Sequence, residues 1–123
     1  MATNVERTQP WDWFPLIPLY AFTSAKKARK FVKRITGRRY EPANKEGSAA
    51  MYKHDTAKQS FVIIQVPKGP KDVKWYALLA HECVHYAQYV EDDMGTKFDD
   101  ETEAYVVQAA MMSAMEQLGE EMD

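Results

Sequence analysis

Two histidines stand four residues apart in the segment His81-Glu82-Cys83-Val84-His85. On an α-helix this spacing places both imidazoles on one face, where they can bind the same cation. Glu82 is rotated by about 100° from His81, which puts its carboxylate beside the cation rather than on it. A carboxylate there can take a proton from a water and return it to a leaving amine. The pattern predicts a catalytic zinc site with His81 and His85 as ligands and Glu82 as general base and acid.

A catalytic zinc site needs a third protein ligand. No histidine follows His85, so that ligand must be an acidic residue or His54. Glu101 and Glu103 stand 16 and 18 residues after His85, which is enough for a turn and the start of a returning helix. Glu103 lies nearer the apolar side of that helix, whereas Glu101 lies nearer its N-terminal end, where a carboxylate is favoured electrostatically. The residues alone leave the choice between them open.

Other reactive side chains near the motif are predicted to have structural roles. Cys83 lies about 200° around the helix from His81, so we expect it to face the core. His54 ends a predicted strand, where a histidine is commonly exposed to solvent. Three tyrosines could orient a histidine or polarise a substrate carbonyl: Tyr86, Tyr89 and Tyr105. Packing of their rings is the commoner role for such residues.

Ahead of the motif the sequence predicts one helix and a small sheet. Thr23 or Ser24 can cap a helix that runs to about Thr36 and ends at Gly37. Phe61–Val66 is the clearest strand because of its β-branched and aromatic residues. The strand-like segments are 48–54, 60–66 and a short stretch at 39–41.

Two further helices are predicted in the second half of the chain. Asp72 can cap the motif helix, which runs to about Val90 before Gly95 breaks the chain. A last helix ends at about Leu118 and begins at one of two capping aspartates, Asp99 or Asp100. Apolar residues recur along it at steps of three and four and predict a core seam: Ala104, Val107, Met111, Ala114 and Leu118.

Together these elements predict one α+β domain over residues 1–123. It has an N-terminal helix, a two- to three-stranded sheet, and the motif helix packed against a C-terminal helix that carries the glutamates. Residues 1–22 hold an aromatic and proline-rich piece that cannot form a regular helix. We expect this piece to be an extended strap with its rings on the core, with a peptide-docking arm as the alternative.

Charge and composition narrow the class of protein. The net charge of −2 and the pI near 5.9 argue against a general nucleic-acid binder. The charges are uneven, because residues 26–39 hold eight Lys or Arg and no acid, while residues 91–123 hold eleven acids and one Lys. A single cysteine permits no intrachain disulfide, and no secretory signal or membrane-spanning run is evident. These features predict a soluble cytoplasmic protein.

At His81–His85 together with Glu101–Tyr105 the chain resembles the gluzincins, zinc peptidases whose third ligand is a glutamate on the helix after the histidine helix. Its size and element order are similar to the minimal members called mini-gluzincins. The run Ala77–Ala80 ahead of the motif is similar to small metallopeptidase-like proteins of tailed bacteriophages. The resemblance covers about residues 60–112 and leaves residues 1–58 without a counterpart.

The resemblance implies a minimal zincin-like fold and amide hydrolysis through a metal-activated water. In several such families the ligand glutamate precedes an alanine by three residues, which selects Glu101 ahead of Ala104 and keeps Glu103 as the alternate. The position four residues after the ligand is often an aspartate that orients a histidine, and here it is Tyr105. The implied zinc ligands are His81, His85 and Glu101.

The expected partner is a peptide or protein substrate that adds to the sheet edge beside Phe61–Val66. The alternative is a catalytically silent zincin-like protein, either a phage structural component or one that contacts a phage or host protein. Its location would be the host cytoplasm or the virion. A third interpretation, a DNA-associated regulator or protease using the basic segment 26–39, predicts salt-dependent DNA binding and is disfavoured by the net negative charge.

Overall fold

The computed structural model describes residues 17–42, 47–53 and 60–122. Within these ranges the protein is a small mixed α+β protein with three helices and a three-stranded sheet. The strands are β1 (Leu19–Phe22), β2 (Ser48–Lys53) and β3 (Ser60–Gln65). The helices are α1 (Ala25–Thr36), α2 (Val73–Met94) and α3 (Asp100–Met122).

The first two helices begin and end at the residues whose chemistry predicts it. The Ser24 hydroxyl accepts from the Lys27 amide at 3.2 Å, and Gly37 ends α1 with φ of 72°. The Asp72 carboxylate accepts from the Trp75 amide at 2.9 Å at the start of α2. α2 extends four residues beyond its predicted end at Val90. It ends where Gly95 adopts the left-handed conformation, with φ of 71°.

Glu91 shapes the turn that connects α2 to α3. Its backbone oxygen accepts from the Thr96 amide at 3.1 Å, and its buried carboxylate accepts from the Phe98 amide at 2.8 Å. The Asp99 carboxylate then accepts from the Thr102 amide at 2.7 Å and caps the new helix. These bonds satisfy backbone groups at both helix ends and turn the chain back within a few residues.

The sheet has the order β1-β3-β2, with β1 parallel and β2 antiparallel to β3. The two predicted strands are therefore confirmed, and β1 is an additional strand formed by the end of the aromatic and proline-rich piece. Residues 1–16 of that piece lie outside the described residues. The expected strand at 39–41 is wrong, since this stretch is irregular and Tyr40 is instead buried with its hydroxyl donating to Gln65 at 2.7 Å.

The central position of β3 also changes where an added peptide strand could bind. β3 is paired with β1 on one side and β2 on the other, so its backbone groups are occupied on both edges. The expectation that a peptide adds beside Phe61–Val66 is therefore wrong. Among the described strands, the edges of the sheet are β1 and β2.

Helices cover both faces of the sheet, so β1 and β3 are buried on both sides. Alternate strand residues point to opposite faces, which divides the core into two clusters. The cluster against α1 includes Tyr20, Phe22, Phe31, Val32, Phe61 and Ile63. The cluster against α2 and α3 includes Leu19, Ala21, Val62, Ile64, Leu79, Cys83, Tyr86, Ala110 and Leu118.

The buried face of α3 is rotated from the predicted seam. Ala104 is exposed, and Val107 and Met111 are only partly buried. The residues that are buried along this helix are Val106, Ala109, Ala110, Ser113, Ala114, Gln117 and Leu118. α3 also runs past its expected end at about Leu118 and continues to Met122. The buried face differs from the predicted one because α3 packs against β1 as well as against α2. As a result, the buried face includes two polar residues, Ser113 and Gln117.

Gln117 joins α3 to the edge of β1. Its amide oxygen accepts from the Ala21 amide at 3.0 Å, and its amide nitrogen donates to the Leu19 carbonyl at 2.9 Å. The side chain therefore supplies the two bonds that a neighbouring strand would otherwise make, and it covers this part of an edge strand. Sequence periodicity predicted neither its burial nor this contact.

Replacing Gln117 tests how much the contact between α3 and β1 contributes to the stability of the fold. We expect Gln117→Ala to lower the free energy of unfolding by about 2–4 kcal/mol, because two buried backbone groups lose a partner. Urea unfolding followed by circular dichroism measures the change. Gln108→Ala, at an exposed position of the same helix, should change the free energy by less than about 0.5 kcal/mol. Equal losses in the two variants would contradict the role of Gln117.

Candidate metal centre

The motif lies in the middle of α2, whose buried side faces the sheet and α3. Because successive residues are rotated by about 100°, the helix exposes His81, half-buries His85 and buries Glu82. One ligand atom from each of the three residues lies within 4.8 Å of the other two. The structure therefore brings together the two predicted histidine ligands and the predicted base.

The two imidazoles are arranged as a pair of ligands would be. Their Nε2 atoms are 3.2 Å apart, and the rings are nearly perpendicular, with centroids at 4.8 Å. Two nitrogens that each lie about 2.0–2.1 Å from one tetrahedral zinc ion are about 3.3–3.4 Å apart. The spacing of the nitrogens, together with the adjacent carboxylate, fits a divalent cation that accepts nitrogen ligands.

Gln88 holds one of these rings in place. Its side-chain oxygen lies 2.9 Å from Nδ1 of His85. Because an amide oxygen can only accept, Nδ1 carries the proton, and Nε2 accepts the 3.2 Å hydrogen bond from Nε2 of His81 in the absence of a cation. Metal-binding histidines usually have such a partner on their second nitrogen. The metal-ligand spacing does not single out Gln88, although its position three residues after His85 on a helix places it next to that ring.

Glu82 is 5% exposed and lies under the backbone of residue 47. A Cβ atom at Gly47 would be 3.0 Å from the Glu82 Oε2 atom and 3.5 Å from the Gln65 carbonyl oxygen. Only glycine leaves this space open without displacing the carboxylate. Burial raises the pKa of Glu82, while the nearby imidazoles of His81 and His85 oppose the rise when they are charged.

An open cleft of about 300 Å³ leads from solvent to this carboxylate. Its lining residues come from α2 and from the start of β2: Gly47, Lys74, Ala77, Leu78, His81 and Glu82. A second cavity of about 260 Å³ shares Lys74 and Leu78 with the first and extends toward Pro67 and Trp75. The candidate centre is therefore reachable by a ligand larger than water.

The predicted third ligands are outside this three-residue group. Glu101 is exposed and Glu103 is half-buried, and both lie in the first turn of α3. Neither contributes an atom to the group within 4.8 Å. His54, the other possibility considered from the sequence, lies outside the described residues.

Cys83, Tyr86 and Tyr89 have packing roles, as predicted, whereas Tyr105 does not pack into the core. Cys83 is fully buried, and burial raises the pKa of its thiol to about 12, which keeps it protonated. Tyr86 is buried and donates to the Ile17 carbonyl at 2.6 Å, whereas Tyr89 donates to the Ala49 carbonyl at 3.1 Å. Tyr105 is 52% exposed. Tyr86 and Tyr89 thus attach α2 to the segment before β1 and to β2.

Comparisons of the chain with protein-family models, curated proteins and solved structures found no match. Among the described residues, no helix has the length and apolar character needed to cross a membrane.

Gln88 gives a direct test of the metal site. We expect Gln88→Ala to weaken zinc binding about 10- to 100-fold, because the His85 ring loses the contact that fixes its orientation. Gln88→Glu should retain most of the affinity, since a carboxylate can accept the same proton. Competition with a chromophoric chelator at constant pH measures the dissociation constant. Gln108→Ala is the matched control, and equal affinity of Gln88→Ala and this control would refute the orienting role.

Proposed function

We propose that the protein is a zinc-dependent peptidase of the gluzincin type with a minimal zincin-like fold. The observation that carries the proposal is the pair of Nε2 atoms 3.2 Å apart on His81 and His85, beside the buried carboxylate of Glu82. A cation ligand pair, a proton acceptor and an open cleft are three of the parts that amide hydrolysis by a metallopeptidase requires, and a third protein ligand is the fourth.

In this proposal His81 and His85 hold the zinc through Nε2, with Gln88 fixing the second imidazole. Zinc, when bound, would polarise the substrate carbonyl and make a water more acidic. Glu82 takes the proton of the attacking water and delivers it to the amine that leaves. Its burial under Gly47 suits this role, because the raised pKa makes the carboxylate a better proton acceptor.

The substrate is proposed to bind as an extended peptide along β2. This strand is the edge nearest the candidate centre, because Gly47 precedes it and approaches the Glu82 carboxylate. An added strand would place its backbone next to the cleft, with pockets for alternate side chains. Side chains already bond to both edges, but Gln117 occupies two backbone groups of the four-residue β1, whereas Tyr89 occupies one carbonyl, that of Ala49, on the six-residue β2.

We propose Glu101 as the third zinc ligand, with Glu103 as the alternate. Both lie on the helix that returns after α2, and the acidic first turn of α3 contains both carboxylates. Glu101 is the more exposed of the two, so its side chain has less packing to give up in turning toward a cation at the histidines.

The two glutamates can be distinguished by their effect on zinc affinity. We expect Glu101→Gln to weaken zinc binding by more than about tenfold, because a direct ligand is lost. Glu103→Gln, which makes the same change two residues away, should bind zinc within about twofold of the unmodified protein. Isothermal titration calorimetry measures both. The opposite order would make Glu103 the ligand, and no loss in either variant would exclude this helix as the source.

Glu82 is the residue that tests the chemistry. We expect Glu82→Gln to retain stoichiometric zinc but to cleave peptides at least about 100-fold more slowly, because the general base is removed. The measurement is the appearance of new peptide termini in a protein-derived peptide mixture, followed by mass spectrometry. Glu116→Gln, an exposed position of α3, is the control and should cleave normally.

The same experiment separates the two functional interpretations. If the unmodified protein binds one zinc but yields no cleavage above that of Glu82→Gln, the peptidase proposal fails. A catalytically silent zincin-like protein would then account for the metal site. If no zinc binds, the peptidase proposal fails as well, and the remaining interpretation is the catalytically silent protein whose metal has been lost.

A further inference from the structure

The exposed face of α1 and the residues after it are strongly basic. Eight cationic side chains lie between residues 26 and 39, with no acidic residue among them. All eight are exposed: Lys26, Lys27, Arg29, Lys30, Lys33, Arg34, Arg38 and Arg39. We call this set the α1 basic face. The opposite side of the helix is buried against the sheet through Ala28, Phe31 and Val32.

These charges are largely uncompensated within the part of the chain that the structure describes. The salt bridge found there joins Arg39 to Glu41 at 3.5 Å, and both side chains are highly exposed. Lys33 donates to the Gly37 carbonyl at 3.2 Å, and Arg34 lies over the Phe31 ring at 5.6 Å. Neither contact neutralises the cation. The face therefore presents a dense positive surface to solvent.

The acidic part of the protein does not cancel this surface. The exposed acids Asp92, Asp93, Asp99 and Asp100 lie at the α2–α3 turn, whereas α1 packs on the other face of the sheet. Each packed layer is about 10 Å thick, and the Debye length at 0.1 M salt is also about 10 Å. A negative net charge on the far side is thus screened before it reaches a ligand bound at α1. This separation removes the objection that the net charge of −2 raises against polyanion binding.

The character of the surface indicates which polyanion fits. Among the described residues, the exposed large hydrophobic side chains are all outside residues 25–39. A protein interface normally has an apolar or aromatic centre, and an interfacial membrane helix needs an apolar face, so neither partner suits α1. Single-stranded nucleic acid is usually bound on exposed aromatic rings, which this face also lacks. A duplex is bound mainly through its phosphates, which require cations alone.

We propose that the α1 basic face binds the phosphate backbone of a nucleic-acid duplex without reading its sequence. The cations at steps of three and four residues follow the helix for about 18 Å, since twelve residues rise by about 1.5 Å each. This length allows contact with several phosphates. The function is additional to the proposed peptidase and independent of the metal centre, which lies on the other side of the sheet.

The test is the salt dependence of binding to a fluorescent 20-base-pair DNA duplex, measured by anisotropy between about 25 and 200 mM NaCl. Engagement of about four phosphates predicts a slope of log affinity against log salt near −3.6. We expect the triple variant Lys26→Glu, Lys30→Glu, Lys33→Glu to lose at least about tenfold in affinity at low salt. The matched control, Lys53→Glu, Lys68→Glu, Lys71→Glu, makes the same charge change at exposed positions elsewhere and should lose much less.

Each outcome decides the proposal. No binding by the unmodified protein at 25 mM NaCl, or equal losses in the two triple variants with normal circular dichroism, would overturn it. Tighter binding to single-stranded DNA of the same length, or equal binding to poly-glutamate, would overturn the assignment to a duplex. A parallel RNA duplex distinguishes DNA from RNA. Glu82→Gln should bind the duplex normally, so failure of the peptidase proposal would leave this result unaffected.

Discussion

The rotation of α2 about its own axis is fixed by the side chains that it buries, and every group of the candidate centre follows from that rotation. Trp75, Leu79, Cys83, Tyr86 and Val90 form the buried stripe against the sheet and α3. Turning the helix by one residue would move these side chains into solvent, at a cost of about 1.5–3 kcal/mol for each large apolar side chain. The core therefore determines which side of the motif faces water.

The same rotation explains why adjacent residues of the motif have such different environments. Glu82 is directed under Gly47 and is shielded from most of the solvent, while His81 remains on the open side. A buried carboxylate is destabilising unless something compensates for the lost hydration. The nearby imidazoles oppose the rise in the pKa of Glu82, and this is the kind of local conflict that is expected at a functional site rather than in a core.

Local chemistry made much of the fold predictable, whereas contacts between distant residues did not follow from it. Ser24, Asp72 and Gly37 cap their helices as their side chains and backbone preferences predict. β1 was not predicted as a strand, because it has only four residues and is stabilised by pairing with β3. The buried face of α3 could not be predicted from apolar periodicity, because that pattern counts only apolar residues. Gln117 is polar and lies on the buried face, where it hydrogen-bonds to β1.

The candidate site likewise has a part that the sequence predicts and a part that it does not. The histidine pair and Glu82 could be predicted, since helix geometry alone relates residues one and four positions apart. Gly47 comes from a different part of the chain, and its closeness to the carboxylate depends on how β2 packs against α2, which no spacing within the motif encodes. The sequence leaves the third ligand open for the same reason, because the position of that ligand depends on how α3 packs beside α2.

A balanced net charge conceals two separate surfaces in this protein. Charge summed over the sequence predicts solubility and average attraction to polyanions, but a bound ligand responds to charges within about one Debye length. The sheet separates the basic side chains of α1 from the acidic turn after α2, so each surface acts with its own sign. The same layer separates α1 from the histidines of α2. A cationic ligand at the histidines and a polyanion at α1 would therefore bind on opposite faces of the sheet, and the small fold can carry both sites.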